Sequence, residues 1–224
     1  MMRSAAVLAC GYGAYLLYAF ATGALYFYLH PVYIVPCAIT GVVLIALAGL
    51  AGGRGGQRVP GAAAAMLALP LALGFLLPPQ PLSPATAAQR GVQPLALGRG
   101  ERPVAFEPLA RPETYTIKDW IKAFAIDPEP ARHAGKPVRV TGFVHHDDTL
   151  PPGWFLVARF VVQCCAVDAQ PVGLPVRAPT PPAGGRWITV EGTWDVADVD
   201  GARRAVVSAT VVTPTVRPDQ PYLY

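Results

Sequence analysis

Before Pro79 the chain carries three long apolar runs, none of which contains Asp, Glu, Lys or Arg. They are Ser4 to Leu29, Val32 to Ala51 and Val59 to Leu77. Each approaches the ~20 residues that a helix needs to cross a ~30 Å hydrocarbon core. A chain of 224 residues is long enough for one ordinary domain plus something else. The expectation is therefore a helical membrane segment with three transmembrane spans, residues 1–78. The third run is the weakest of them, being Ala-rich and interrupted by Pro70, which kinks a helix. A cleaved signal peptide is the competing reading of the first run. Its length, Tyr12, Tyr15 and Tyr18, and the second apolar run that comes at once after it argue against cleavage.

The basic residues give an orientation. Arg3 precedes the first run and Arg54 and Arg58 lie between the second and third, whereas the His30–Pro31 turn has no Lys or Arg. Positive residues in short flanks stay in the cytoplasm, so the amino terminus and the Arg54 loop are expected inside. An odd number of crossings then places everything after Pro79 outside. Arg90, Arg99, Arg102 and Arg111 fall on that outer side, but long translocated segments obey the rule poorly. Tyr26, Tyr28 and Tyr33 surround the outer turn, as an interfacial aromatic belt does. His30 and Cys37 near that interface read either as a soft-metal pair or, more simply, as an interfacial imidazole and a small apolar side chain. Gly11, Gly13 and Gly23 with the tyrosines form a face suited to close helix packing. Its partner is another membrane protein or the chain's own third helix.

Net charge separates the two halves. Residues 1–112 hold seven Arg and two Glu, a net of +5, while residues 113–224 hold eleven Lys or Arg and twelve Asp or Glu, a net of −1. The overall pI near 9.0 therefore reflects the first half alone. A nucleic-acid-binding tail needs a basic groove, and this tail has no such excess.

Eight prolines between Pro78 and Pro112, without hydrophobic periodicity, read as a Pro-rich linker over 79–113, extended where proline is dense. Order returns at TIKDWIKAFAIDP, where Ile117, Trp120, Ile121 and Phe124 share one helical face, Thr116 supplies an N-cap and Pro128 ends the helix. The period then changes to two. Segments 137–145, 153–164, 185–196 and 202–212 read as strands, with a shorter one at 172–178 broken by Pro175. Asp200–Gly201 marks a hairpin turn. Five short strands after one helix suggest a mainly β domain over 114–224, an OB-like small barrel, with a small open sandwich as the alternative.

Four cysteines occur, two of them adjacent, in RFVVQCCAVDAQPVGLPV (159–176). Strand alternation places Trp154, Leu156, Ala158, Phe160, Val162 and Cys164 on one face, and Phe155, Val157, Arg159, Val161, Gln163 and Cys165 on the other, which Arg159 and Gln163 mark as the more open. The first face is apolar, so Cys164 is expected in the core and Cys165 outward, close to Asp168. Neighbouring Cα atoms lie ~3.8 Å apart, short of the ~4.4–6.8 Å that disulfides prefer. A metal site is the sharper possibility. Cys165, Asp168 and the VHHDD cluster (His145, His146, Asp147, Asp148) offer thiolate, carboxylate and imidazole, a mix suited to zinc. The competing reading is a structural turn in which Asp168 bonds local backbone amides. A redox thiol is disfavoured, because only Arg159 is placed to lower a thiol pKa.

Three stretches together resemble one family: LHP at 29–31, GFVHHDD at 142–148 and RFVVQCCAVDAQPVGLPV at 159–176. The chain is similar in them to the YcgQ-like bacterial membrane proteins, labelled two-component permease subunits. The resemblance implies an accessory partner of a multi-span permease in the bacterial cell membrane, and an association with metal supply, zinc in particular. It carries over no catalytic residue. His30, Arg159, Cys164, Cys165 and Asp168 match motif positions whose roles it leaves open.

The leading expectation is thus a non-enzymatic, multi-pass membrane subunit whose extracytoplasmic β domain gates or presents a ligand to a permease, with a metal ion as the candidate ligand. The rivals are a free-standing metal- or thiol-dependent module using Cys165, His145, His146 and Asp168, and a purely structural anchor. An oligonucleotide-binding barrel is set aside by the charge balance.

Overall fold

The structure is a computed structural model that describes residues 4–53, 59–94, 114–199 and 201–224. Arg3, Arg54, Arg58 and Asp200, on which the orientation and the hairpin turn rest, lie outside the described residues, as does 95–113 of the expected linker. The chain divides into two compact units. The first comprises Met1–Pro81 together with Gln163–Val167 and Tyr224, the second Leu82–Val162 and Asp168–Leu223.

In the first unit, helix α1 spans Ser4–Ala21, α2 Ile34–Gly53 and α3 Gly61–Leu76. Two of the helical segments, Ser4–Ala21 and Pro31–Ala51, are long and apolar enough to cross a membrane; α3 is shorter. The first apolar run is not helical to its end. Gly23 adopts φ +72, a left-handed conformation that glycine takes without steric cost, and one 3-10 turn, Ala24–Phe27, comes after it. A second 3-10 turn, Pro31–Tyr33, leads into α2.

Helices α1 and α2 meet at Gly13 and Gly41. A Cβ on Gly13 would lie 2.6 Å from the Gly41 carbonyl oxygen and 2.7 Å from Ile45 Cγ1, so only hydrogen fits there. The tyrosine face of α1 is taken up by α3. Tyr12 Oη donates to the Leu67 carbonyl at 2.7 Å, the Tyr15 ring meets Phe75 edge-on at 5.2 Å, and Gly74 leaves room for Tyr15. Of the two partners open to that face, the chain's own third helix occupies it. On α2, by contrast, Val35, Ile39, Val42, Val43, Leu47 and Leu50 are exposed, an apolar surface that suits lipid.

The second unit is mainly β. Helices α4 (Pro84–Arg90) and α5 (Ile117–Ile126) accompany strands β1 (Gln93–Pro94), β2 (Pro137–His145), β3 (Trp154–Val161), β4 (Gln170–Arg177), β5 (Trp187–Val199), β6 (Ala202–Pro214) and β7 (Tyr222–Leu223). The seven strands form one sheet in the order β1-β4-β6-β5-β2-β3-β7, and β3 also pairs with β4. Pairing therefore runs in a circuit through β2, β3, β4, β6 and β5 and back to β2. Only the β4–β6 step is parallel. The short strands β1 and β7 add parallel to β4 and β3. Strand β4 tolerates Pro171 and Pro175, which lack a ladder donor, because on the side away from β3 it pairs only at Val172–Gly173 and Val176–Arg177, and neither proline falls in those pairings.

Helix α5 begins where the capping residue predicts. Thr116 and Asp119 form a reciprocal capping box, an arrangement in which losing the cap costs about 1 kcal/mol. Its apolar face buries Ile117, Trp120 and Phe124 against Trp194, Val190, Val157 and Val207. Trp120 and Phe124 meet the Trp194 ring at 5.4 and 4.8 Å.

Both faces of β3 are buried, which alternation alone does not foresee. Phe155 and Val157 belong to the core under α5, whereas Leu156, Ala158 and Phe160 are covered from the other side. There Phe160 packs against Phe143 and Tyr222, and Val92 approaches Gly173. The cover comes from Leu82–Pro94, read from sequence as linker. Ser83 caps α4, which packs on β2 and β4, and the Leu82 N–H donates to Tyr222 Oη at 2.6 Å.

Candidate functional site

The cysteine pair lies just beyond β3. That strand ends at Val161, and the Val162 N–H closes it by donating to the Leu223 carbonyl. Residues 163–165 then turn away, so alternation does not reach the cysteines. The expected burial is accordingly corrected: Cys164 is exposed, and Cys165 and Asp168 are half-buried. In the first unit the loop meets the turn that joins α1 to α2. The His30 N–H donates to the Cys164 carbonyl at 2.9 Å, the Ala166 N–H donates to the Tyr28 carbonyl at 2.8 Å, and Leu29 faces Cys165 in an antiparallel bridge. The LHP and CC motifs thus pair backbone to backbone.

Within this one loop, the ligand atoms of Cys164, Cys165 and Asp168 all lie within 4.8 Å of one another, the one such cluster of three or more among the described residues. The two sulfurs are 3.6 Å apart, far beyond the ~2.05 Å of a disulfide bond. Two thiolates held at ~2.3 Å on a tetrahedral zinc lie about 3.8 Å apart. The observed spacing therefore suits a shared ion. Thiolate and carboxylate donors together favour a divalent ion of zinc type over magnesium or calcium.

His145 and His146, expected as further ligands, are not part of this cluster. The His146 Nε2–H donates to the Pro182 carbonyl at 3.0 Å. Burial lowers the His145 pKa, and His146 adds to this while Asp147 opposes it. Asp147 accepts from the Thr149 N–H at 2.9 Å and from its hydroxyl at 2.7 Å, bonds that lower its pKa. Asp147 thus bonds within the turn that follows β2.

Arg159 also has a position. Its Nε donates to the Pro221 carbonyl at 3.2 Å and a terminal nitrogen donates to Gln220. The guanidinium carbon lies 5.8 Å from the centre of the Trp187 ring. It anchors the segment that enters β7. His30 caps the turn Pro31–Tyr33 by accepting the Val32 N–H on Nδ1 at 3.3 Å. Its ring meets Tyr224 edge-on at 5.1 Å, and Tyr224 Oη donates to the Tyr26 carbonyl at 3.0 Å. Sequence reasoning misses Tyr224, and no local pattern marks it, because its partners come from the opposite end of the chain. Cys10 and Cys37 form no disulfide.

No curated protein matches the chain. From the cap of α5 through β7, and so including Arg159, both cysteines and Asp168, residues 116–224 match the family model of the DUF1980 C-terminal domain.

Proposed function

We propose that the chain is a non-enzymatic membrane subunit whose loop 163–168 holds a soft divalent cation, zinc first among them, for a multi-span permease. The observation that carries this reading is the convergence of Cys164, Cys165 and Asp168 to within 4.8 Å. Three protein donors leave one tetrahedral position open, as in zinc sites that exchange a ligand. Such a site suits an ion that is passed on.

The permease partner rests on the resemblance of the LHP, GFVHHDD and CCAVDAQPVGLPV stretches. The exposed apolar face of α2 supplies a surface for lipid or for that partner. In this reading α3 is a third crossing. Its 16 residues rise about 24 Å, and local thinning of the bilayer accommodates the shortfall. Arg3, Arg54 and Arg58 then stay inside and the β unit lies outside the cytoplasm. The five-strand circuit with one parallel step supports reading the β unit as an OB-like barrel, with β1 and β7 as additions.

Metal analysis of the full chain purified in detergent tests the reading. About one zinc per chain is expected, and its loss in Cys164→Ser/Cys165→Ser. A wild-type chain that takes up no ion sinks it. Bound zinc with no larger membrane protein co-purifying would instead leave a free-standing metal module. A reporter fused after Tyr224 tests the orientation, and a cytosolic signal would refute delivery on the outer side.

A further inference from the structure

Resting on the cation site proposed above, we infer that the turn between α1 and α2 sets the geometry of the dithiol loop, and that His30 is its positioning residue. Adjacent side chains on an extended strand point to opposite faces. The Cys164 and Cys165 sulfurs nevertheless lie 3.6 Å apart. Their convergence therefore comes from the path of the main chain, and that path is held from outside the loop. The bonds from His30 N–H to Cys164 and from Ala166 N–H to Tyr28, with the Leu29–Cys165 bridge, fix the backbone on both sides of Cys165.

His30 secures the turn that offers these partners. Its backbone is extended, φ −62 and ψ 141, the usual conformation of a capping residue. Its Nδ1 accepts the Val32 N–H, which opens the 3-10 turn. The ring rests against Tyr224, itself tied to Tyr26. With Nδ1 accepting from an amide, the neutral imidazole carries its proton on Nε2, so this side chain supports the site without serving as a ligand. Groups that orient metal ligands in this indirect way typically contribute ~10–100-fold to metal affinity.

The test uses the full chain in detergent as wild type, His30→Ala and His30→Asn, with Cys165→Ser as the control. Two probes are applied: Zn2+ in competition with a chromophoric chelator, and phenylarsine oxide, which closes a ring on two neighbouring thiols. His30→Ala is expected to weaken zinc about tenfold or more and to slow capture by the arsenical. His30→Asn, whose amide oxygen can accept the Val32 N–H, is expected to restore most of both. The inference is overturned if His30→Ala behaves as wild type with both probes, or if Asn restores nothing. A wild-type chain that captures the arsenical but not zinc sinks the cation reading alone, and the arsenical arm still decides the role of His30.

Discussion

The His30 N–H reaches the Cys164 carbonyl across 2.9 Å, so a helix turn near the start of the chain and a loop far along it share one short ladder. The contact sets the LHP turn, which His30 caps, against a cysteine pair with no C-x-x-C spacing. It also separates the groups that belong to the loop from those that the sequence only makes look as though they do.

That separation gives the first prediction. Cys164→Ser and Cys165→Ser should each weaken zinc binding at least about tenfold, since each removes one of three donors. His145→Ala and His146→Ala should leave it within about twofold of wild type, because neither imidazole is in the cluster. Chelator competition on the full chain reads both. A loss in His145→Ala equal to that in Cys165→Ser would contradict the assignment.

Arg159 yields the second. Its guanidinium holds the carbonyls of Gln220 and Pro221, and hydrogen bonds from charged groups contribute about 1.5–3 kcal/mol. Arg159→Ala should release β7 from β3, seen as faster amide exchange over residues 220–223, and lower stability by about 1–3 kcal/mol. Arg159→Lys keeps the charge but loses the planar fork, so it should recover only part. Unchanged exchange in Arg159→Ala would show that the β3–β7 pairing needs no such anchor.

Helix α5 and its cap, strands β2 to β6 and the apolar helices are legible because each is a local pattern: Thr116 three residues before Asp119, apolar alternation in β2, long uncharged runs; the two-residue strands β1 and β7 carry no such pattern. The illegible parts depend on partners distant in sequence. Alternation finds one buried face of β3, that of Leu156, Ala158 and Phe160, and misses the second, where α5 covers Phe155 and Val157. Nothing in the proline-rich composition of Leu82–Pro94 announces a seven-residue helix. Cys164 is expected inside only when alternation is carried past Val161, where Val162 turns to Leu223. The cluster of Cys165 with Asp168 is within reach of the sequence because it is local. That Cys164 joins this cluster while His145 and His146 lie outside it requires the fold.

A third prediction concerns acid. His133 is buried among Trp120 and Phe124, with Nε2–H donating to the Asp127 carbonyl at 2.8 Å and Nδ1 accepting from Lys136 Nζ at 3.2 Å. Burial lowers its pKa, the Lys136 charge adds to this, and Asp127 opposes it. A histidine held neutral binds fewer protons folded than unfolded, so stability is full above the unfolded value of ~6.5 and falls as pH drops below it toward the depressed folded value. The unfolding midpoint of the β unit in the full chain should decline from about pH 6.5 downward. His133→Gln should flatten that slope. His145, lowered by its own burial, contributes to the slope that remains in that variant. A midpoint independent of pH between about 7 and 5 in wild type would refute the assignment.

The last prediction lies in the first unit, where Gly13 and Gly41 bring two backbones together. Replacing Gly13 by Leu would drive a side chain into the Gly41 carbonyl and Ile45, 2.6 and 2.7 Å from the first added carbon. Neither the backbone oxygen nor the packed isoleucine can retreat without separating the helices. Small residues at such a crossing sustain membrane helix association through close packing, and overpacking typically costs about 1–3 kcal/mol. Gly49 on α2 provides the control, since a Cβ there meets nothing within 4 Å. Gly49→Ala should be neutral or gain about 0.5–1 kcal/mol, the ordinary helix preference of alanine over glycine. Thermal unfolding of the chain in detergent, with Gly13→Leu and Gly49→Ala side by side, reads the difference. If the two are equally stable, the α1–α2 crossing does not depend on Gly13. The turn that carries His30 would then draw its rigidity from its own cap and from Tyr224 rather than from the helices it joins.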